Sequence, residues 1–254
     1  MVTAVATAAS TVHATIPVRT YNAAGGAAPE SITASISGAG TLCSGGVCGS
    51  SLVLAGTGTT DLTVLANGTA GVATIKVSTP TVTFADKTVT FYAKAAKTLT
   101  AAVYNPVLRV GANSSAIAVT AVDAAGVNWA GQAYIVASSA ADALVAGSTT
   151  PVQCAAWNST TGILCPVTAK TLGSAKFKVI DASTVALATA TSNEVTVTVS
   201  NAAPASVKLS FDKATYAPGE KATLTVTVKD ADGNVVPSGT YSSQTIGTFQ
   251  RIEH

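Results

Sequence analysis

Charge is scarce in this chain. Only 10% of its 254 residues are Asp, Glu, Lys or Arg, against roughly 25% in an ordinary soluble domain. The 14 basic and 12 acidic residues leave a net charge of +2 and do not cluster. That removes the basic footprint that nucleic acid requires. Aromatic residues make up 5% of the chain, too few for a base-stacking surface. Histidine occurs twice, as His13 and His254 at opposite ends. A Ser-His-Asp arrangement has to use one of them, and no paired carboxylates or Gly-rich phosphate loop stand out. No catalytic residues are therefore expected, and the chain reads as a non-enzyme. No run is long and apolar enough to span a membrane. The opening M-V-T-A-V-A-T-A-A-S lacks the basic segment of a secretory signal. We expect a mature fragment, with any export signal and anchor lying outside it.

Cysteine is sparse as well. The four cysteines form two local pairs, Cys43 with Cys48 and Cys154 with Cys165. Four cysteines allow three connectivities. Local disulfides are preferred because each pair falls within one repeat, with free thiols as the alternative. A zinc site needs more Cys or His nearby and C-x-x-C-like spacing, and neither is present. Disulfides imply an oxidising compartment, and the expected location is extracellular or at the cell surface.

What the chain does have is alternation. In Y-A-P-G-E-K-A-T-L-T-V-T-V-K-D-A-D-G, from Tyr216 to Gly233, Leu224, Val226 and Val228 alternate with Thr and Lys. A period of two puts one face of a strand inward and the other toward water. Asp230 to Asn234 then closes the strand with turn residues. Leu224, Val226, Asp230 and Gly233 match Ile117, Val119, Asp123 and Gly126 at an offset of 107, and Ile16, Val18, Asn22 and Gly25 at a further 101. A repeat of about 100 residues is the size of one immunoglobulin-like sandwich. Gly173, Ala175, Phe177 and Val179 likewise match Gly71, Ala73, Ile75 and Val77 at an offset of 102. Despite much alanine, no segment keeps a 3.6-residue period. Only Ser138 to Gly147 is a candidate for a single helical turn.

The expected fold class is all-β, tandem immunoglobulin-like β-sandwich domains, with domains at 1–96, 97–201 and 202–254. The third is partial. After Pro237 the alternation weakens, over 240–254. In the first, the opening strand is expected to be missing or malformed: Leu224 lies 17 residues after Val207, whereas Ile16 has only 15 residues before it. An open strand edge in one repeat and unpaired strands in another suggest head-to-tail strand exchange between chains. An arbitrary chain boundary is the preferred explanation.

These residues resemble the bacterial immunoglobulin-like domains of the invasin/intimin-like group. The carriers are Y-A-P-G-E-K-A-T-L-T-V-T-V-K-D-A-D-G-N-V-V-P, I-S-G-A-G-T-L and N-G-T-A-G-V-A-T-I-K-V. The resemblance implies a stalk, adhesin, surface-layer or filament subunit on a bacterial exterior. No adhesive residue carries over, because the group shares no motif for one. Expected partners are copies of itself or neighbouring surface-protein domains, with a host or surface glycan as a further candidate. The alternatives are a non-catalytic, carbohydrate-binding accessory region of a secreted enzyme and a virion decoration protein.

Asp230, Asp232 and Asn234 place three oxygen side chains at alternate positions, a candidate calcium cradle. A plain turn is preferred. The equivalent loops at Asn22 and Asp123 keep the glycine and lack the second carboxylate, so no cofactor is expected. Asp232 alone does not recur and is left over for function. Asn67, Asn113 and Asn158 are formal glycosylation acceptors. Trp129 and Trp157 are read as partly buried. Glu194 beside Asn193 is a weak candidate for an isopeptide cross-link.

Overall fold

The computed structural model describes residues 2–5, 12–201 and 203–236. The stretch 240–254, where the alternation weakens, lies outside the described residues, as does His254. The first repeat contains β1 (Val2–Val5), β2 (Val12–Arg19), β3 (Ile32–Gly38), β4 (Thr41–Ser44), β5 (Val47–Gly49), β6 (Ser51–Leu54), β7 (Thr59–Leu65), β8 (Gly71–Ser78) and β9 (Lys87–Tyr92). The second contains β10 (Thr98–Val103), β11 (Val107–Arg109), β12 (Gly111–Val122), β13 (Tyr134–Ala137), α1 (Ala140–Val145), β14 (Val152–Gln153), β15 (Ile163–Ala169), β16 (Gly173–Ile180) and β17 (Val195–Ser200). The third contributes β18 (Ser206–Phe211) and β19 (Leu224–Lys229).

Repeat one folds as two sheets, β1-β9-β8-β3-β6 and β2-β7-β4-β5. Their inner faces meet in one core. Ile32, Ala34 and Ile36 of β3, Ala73, Ile75 and Val77 of β8, and Phe91 of β9 face Val18 of β2, Leu42 of β4, and Leu62 and Val64 of β7. Burial follows the alternation. In β8 the three apolar residues are buried while Val72 and Lys76 face solvent. Each fully buried Ile, Leu or Phe stabilises the sandwich by about 1.5–3 kcal/mol.

Repeat two repeats the plan, with sheets β11-β17-β16-β13-β14 and β10-β12-β15. Ala175, Phe177 and Val179 are buried where Ala73, Ile75 and Val77 are. Helix α1 is one capped turn and a half. The Ser139 hydroxyl accepts from the Asp142 N–H, and the Asp142 carboxylate accepts from Lys176 N of β16. In repeat three, β18 and β19 pair antiparallel from Ser206–Lys229 to Phe211–Leu224, as a two-stranded sheet.

The opening strand of repeat one needs correcting. β1 pairs in parallel with β9, Val2 against Val89 and Val5 against Tyr92. It holds the place that β11 holds beside β17, Val107 against Thr198. The edge beside β9 is therefore filled, and strand donation into that edge falls away. Only the β10-like half of the opening strand has no counterpart among the described residues. The spacing argument compared only the number of residues before Ile16 and Leu224, and V-T-A-V is too short to show alternation.

Compactness does not follow the repeats. One compact unit gathers residues up to Leu99 with Thr120–Gln132 and Ala156–Asn158. The other gathers Thr100–Val119, Ala133–Ala155 and the chain from Ser159 onward. The segment Thr120–Gln132, which belongs to repeat two by sequence, belongs to the first unit by contact.

Candidate functional site

That segment carries the Asp123 loop. Its local structure recurs in all three repeats, hydrogen bond for hydrogen bond. Asp123 N donates to Val127 O at 2.9 Å and Gly126 N to Asp123 O at 3.1 Å. Asn22 makes the same pair with Gly26 and Gly25, at 2.8 and 2.9 Å, and Asp230 with Asn234 and Gly233, at 2.8 and 3.1 Å. The glycine of each loop has φ near +80°, at 80° for Gly25, 75° for Gly126 and 81° for Gly233. A side chain is strained in that conformation. The first side-chain oxygen of each loop then accepts two backbone N–H groups. Asp123 Oδ1 takes Ala125 N and Val127 N, both at 2.9 Å. Asp230 Oδ1 takes Asp232 N at 3.0 Å and Asn234 N at 2.8 Å. Asn22 Oδ1 takes Ala24 N at 3.0 Å and Gly26 N at 2.9 Å. This is the side-chain-to-backbone turn that Asn and Asp favour.

The second oxygen distinguishes the loops. Asp123 Oδ2 accepts from Ala93 N at 2.8 Å, on the linker that leaves β9. Asp230 Oδ2 accepts from Asn201 N at 3.3 Å, on the linker that leaves β17. Each loop holds its linker at a second point. Lys97 N donates to Val122 O at 2.8 Å, and Ala205 N donates to Lys229 O at 2.8 Å. Both loop and linker positions thus recur at an offset of 107 to 108 residues. We call this arrangement the clasp. Asp123 is 1% exposed and Asp230 3% exposed. A buried carboxylate has to be satisfied by donors. Three backbone N–H groups per carboxylate do so with charge-assisted bonds.

Apolar packing seals the first clasp. Trp129 is 2% exposed, and its indole N–H donates to Lys94 O at 3.4 Å. The ring lies over Gly131, where a Cβ would come within 2.2 Å of it. Glycine is required there for space. In the second clasp the equivalent of Trp129 is Val236, which is buried, and the Ser200 hydroxyl donates to Val235 O at 3.2 Å.

The other sequence candidates fall as follows. Asp230 is committed to backbone donors, while Asp232 and Asn234 are exposed. Among the described residues, no three His, Cys, Asp or Glu gather in a group able to hold a metal ion. The structure pairs Cys43 with Cys48 across the β4–β5 hairpin and Cys154 with Cys165 of β15. Asn67 and Asn113 spend their side-chain amides on backbone carbonyls, Asn67 on Gly40 O and Asn113 on Arg109 O, Gly111 O and Val167 O. Asn158 is exposed and Trp157 is half-buried. Asn193 both accepts from Ala101 N and donates to Ala101 O, tying β10 to the loop before β17. Glu194 pairs instead with Lys176 at the surface, at 3.1 Å. Sequence reasoning missed the clasp, because it assigned Asp123 and Asp230 to the turn alone. The available signal was the choice of acid: Asp stands in the two loops whose second oxygen takes a linker N–H, and Asn in the loop whose oxygen takes turn N–H groups alone.

By strand order and core, the chain is an all-β tandem of immunoglobulin-like sandwich repeats. No family model matches it, and no curated protein does. Solved structures similar to it include invasin, a bacterial integrin-binding protein, at 16% identity and a TM-score of 0.33, over 92% of this chain and 46% of that one. The Escherichia coli adhesin FdeC is similar at 21% identity and 0.33, over 87% and 66%. Domains 4–9 of the surface-layer protein SbsC are similar at 18% and 0.30, over 86% and 31%. This chain thus spans about half the length of the invasin chain.

Proposed function

We propose that this chain is a structural segment of an extracellular surface protein, built of immunoglobulin-like domains at 1–96, 97–201 and 202–254. Its work is to tie each domain to the linker that precedes it, in a surface layer, adhesin stalk or extracellular filament. The clasp is the observation that carries this reading. The same carboxylate, at the same loop position, holds the preceding linker at two successive joints. Short linkers without such contacts leave neighbouring domains free to move. The paucity of charge and the two disulfides support an exterior location.

NMR relaxation on the whole chain tests the joint. Wild type is expected to show one correlation time across repeats one and two. The Asp123→Ala variant is expected to show two shorter ones. Independent tumbling in wild type would overturn the reading. Antibody labelling of intact cells of the source organism tests the location, and a signal seen only after permeabilisation would refute it.

A further inference from the structure

The Asn22 end of repeat one has exchanged the residues that make the clasp. Tyr21, Asn22, Ala28 and Glu30 stand where repeat two has Val122, Asp123, Trp129 and Gly131. The alignment is secured by backbone bonds, Tyr21 bridging Ala27 as Val122 bridges Asn128, and Ala28 N donating to Thr20 O as Trp129 N donates to Ala121 O. In repeat two these positions close on a linker. In repeat one they border a pocket of about 110 Å³, lined by Arg19, Tyr21, Glu30, Thr79, Thr81 and Phe84. The exchange also removes the linker acceptor. Asn22 spends its one oxygen on the turn, and its remaining amide group is a donor, which cannot receive a linker N–H.

The lining combines aromatic and polar groups. Tyr21 is 66% exposed, an unusual position for an aromatic ring in a chain with so few, and Phe84, also in the lining, is half-buried. The same lining holds Glu30, whose two carboxylate oxygens share the one Thr81 hydroxyl proton in a bifurcated bond, each at 2.8 Å. The hydroxyls of Thr79 and Thr81 hold the Glu30 carboxyl below its usual range, so it is an ionised acceptor at neutral pH. Arg19 is fixed at the rim by Asp61 Oδ1 at 2.8 Å and by Val18 O at 3.0 Å. An aromatic face together with a fixed carboxylate, a guanidinium and hydroxyls matches one ligand chemistry well. A sugar ring offers an apolar C–H face for the aromatic groups and a row of hydroxyls, each both donor and acceptor, for the polar groups.

We propose that this pocket is a saccharide subsite that takes the edge of one neutral pyranose ring. Its volume is well below the roughly 300 Å³ of a drug-sized site, which limits it to a single ring. The anionic Glu30 selects against acidic sugars by like-charge repulsion.

Saturation-transfer NMR on the full chain tests this, with the methyl glycosides of glucose, galactose and N-acetylglucosamine and of the acidic sugar sialic acid as probes. At least one neutral probe is expected to bind with a dissociation constant on the order of 1 mM. Tyr21→Ala is expected to weaken that binding about tenfold. Glu30→Gln supplies a second, near-isosteric test and is expected to weaken it as well. Both side chains lie at the surface, so an unchanged melting midpoint will show that each variant is folded. Saturation of no neutral probe, binding unchanged in both variants, or a stronger signal from the sialoside than from every neutral probe would overturn the proposal.

Discussion

The Asn22 and Asp123 loops share the same turn, the same glycine conformation and the same two bonds to the first side-chain oxygen. At their first residue they differ in one atom of chemistry. Asp123 has a second acceptor, which takes Ala93 N and is buried, whereas Asn22 has a donor there and stays exposed. The comparison separates two roles that one motif combines. The glycine and the first oxygen make the fold of the loop. The second oxygen makes the joint. The Asp230 loop, whose second oxygen takes Asn201 N, falls on the joint side of that line.

The comparison can be broken at several points. Removing the indole that seals the first clasp should have the largest effect. Trp129→Ala is expected to destabilise the chain by about 3–5 kcal/mol, measured by denaturant unfolding, while truncating Ala28 to Gly in the equivalent place should have little effect. Next comes the carboxylate. Asp123→Ala leaves Ala93 N, Ala125 N and Val127 N without their acceptor and is expected to cost about 2–3 kcal/mol. Asn22→Ala removes an exposed turn acceptor only, at about 1 kcal/mol. Equal losses at the two sites would show that the second oxygen contributes nothing. A finer cut is Asp123→Asn, since one oxygen cannot serve both the turn and the linker. Hydrogen exchange should then show faster exchange at the Ala93 amide, by about tenfold or more, a loss of at least 1.4 kcal/mol of local protection. The amides of Ala125 and Val127 should stay protected. Loss at the turn with retention at Ala93 would reverse the assignment.

Much of the fold was legible in the sequence. The alternation of Ala73, Ile75 and Val77, and of Ala175, Phe177 and Val179, marks core faces that are buried in the structure. A period of two is a strong signal wherever one face is wet. The parallel half-strand β1 left no such signal, because four residues at a sheet edge carry neither a turn nor an alternation. The clasp was legible on one side only. Asp123 and Asp230 stand out, but their partners are the main-chain N–H groups of Ala93 and Asn201, and a backbone donor leaves no trace in the identity of its residue. The pocket beside Tyr21 was hidden for a related reason. Arg19, Glu30 and Thr81 are distant in sequence and meet only when β2 and the turn after β8 reach the same end of the sandwich.

The smallest effect is also the sharpest test. Asn22→Asp gives repeat one the side chain that clasps linkers in the other two repeats. The turn has no need of it, since Asn22 Oδ1 already accepts from Ala24 N and Gly26 N. The new oxygen would face solvent, where no linker N–H of the described chain reaches it. Stability is therefore expected to change by no more than about 0.5 kcal/mol, read by thermal and denaturant unfolding side by side with Asp123→Asn. A gain at position 22 comparable to the loss at position 123 would mean that Asp strengthens the turn itself. The joint would then be a by-product of turn chemistry. A null result at 22 beside a clear loss at 123 assigns the loss to the linker N–H that Asp123 holds and Asn22 does not.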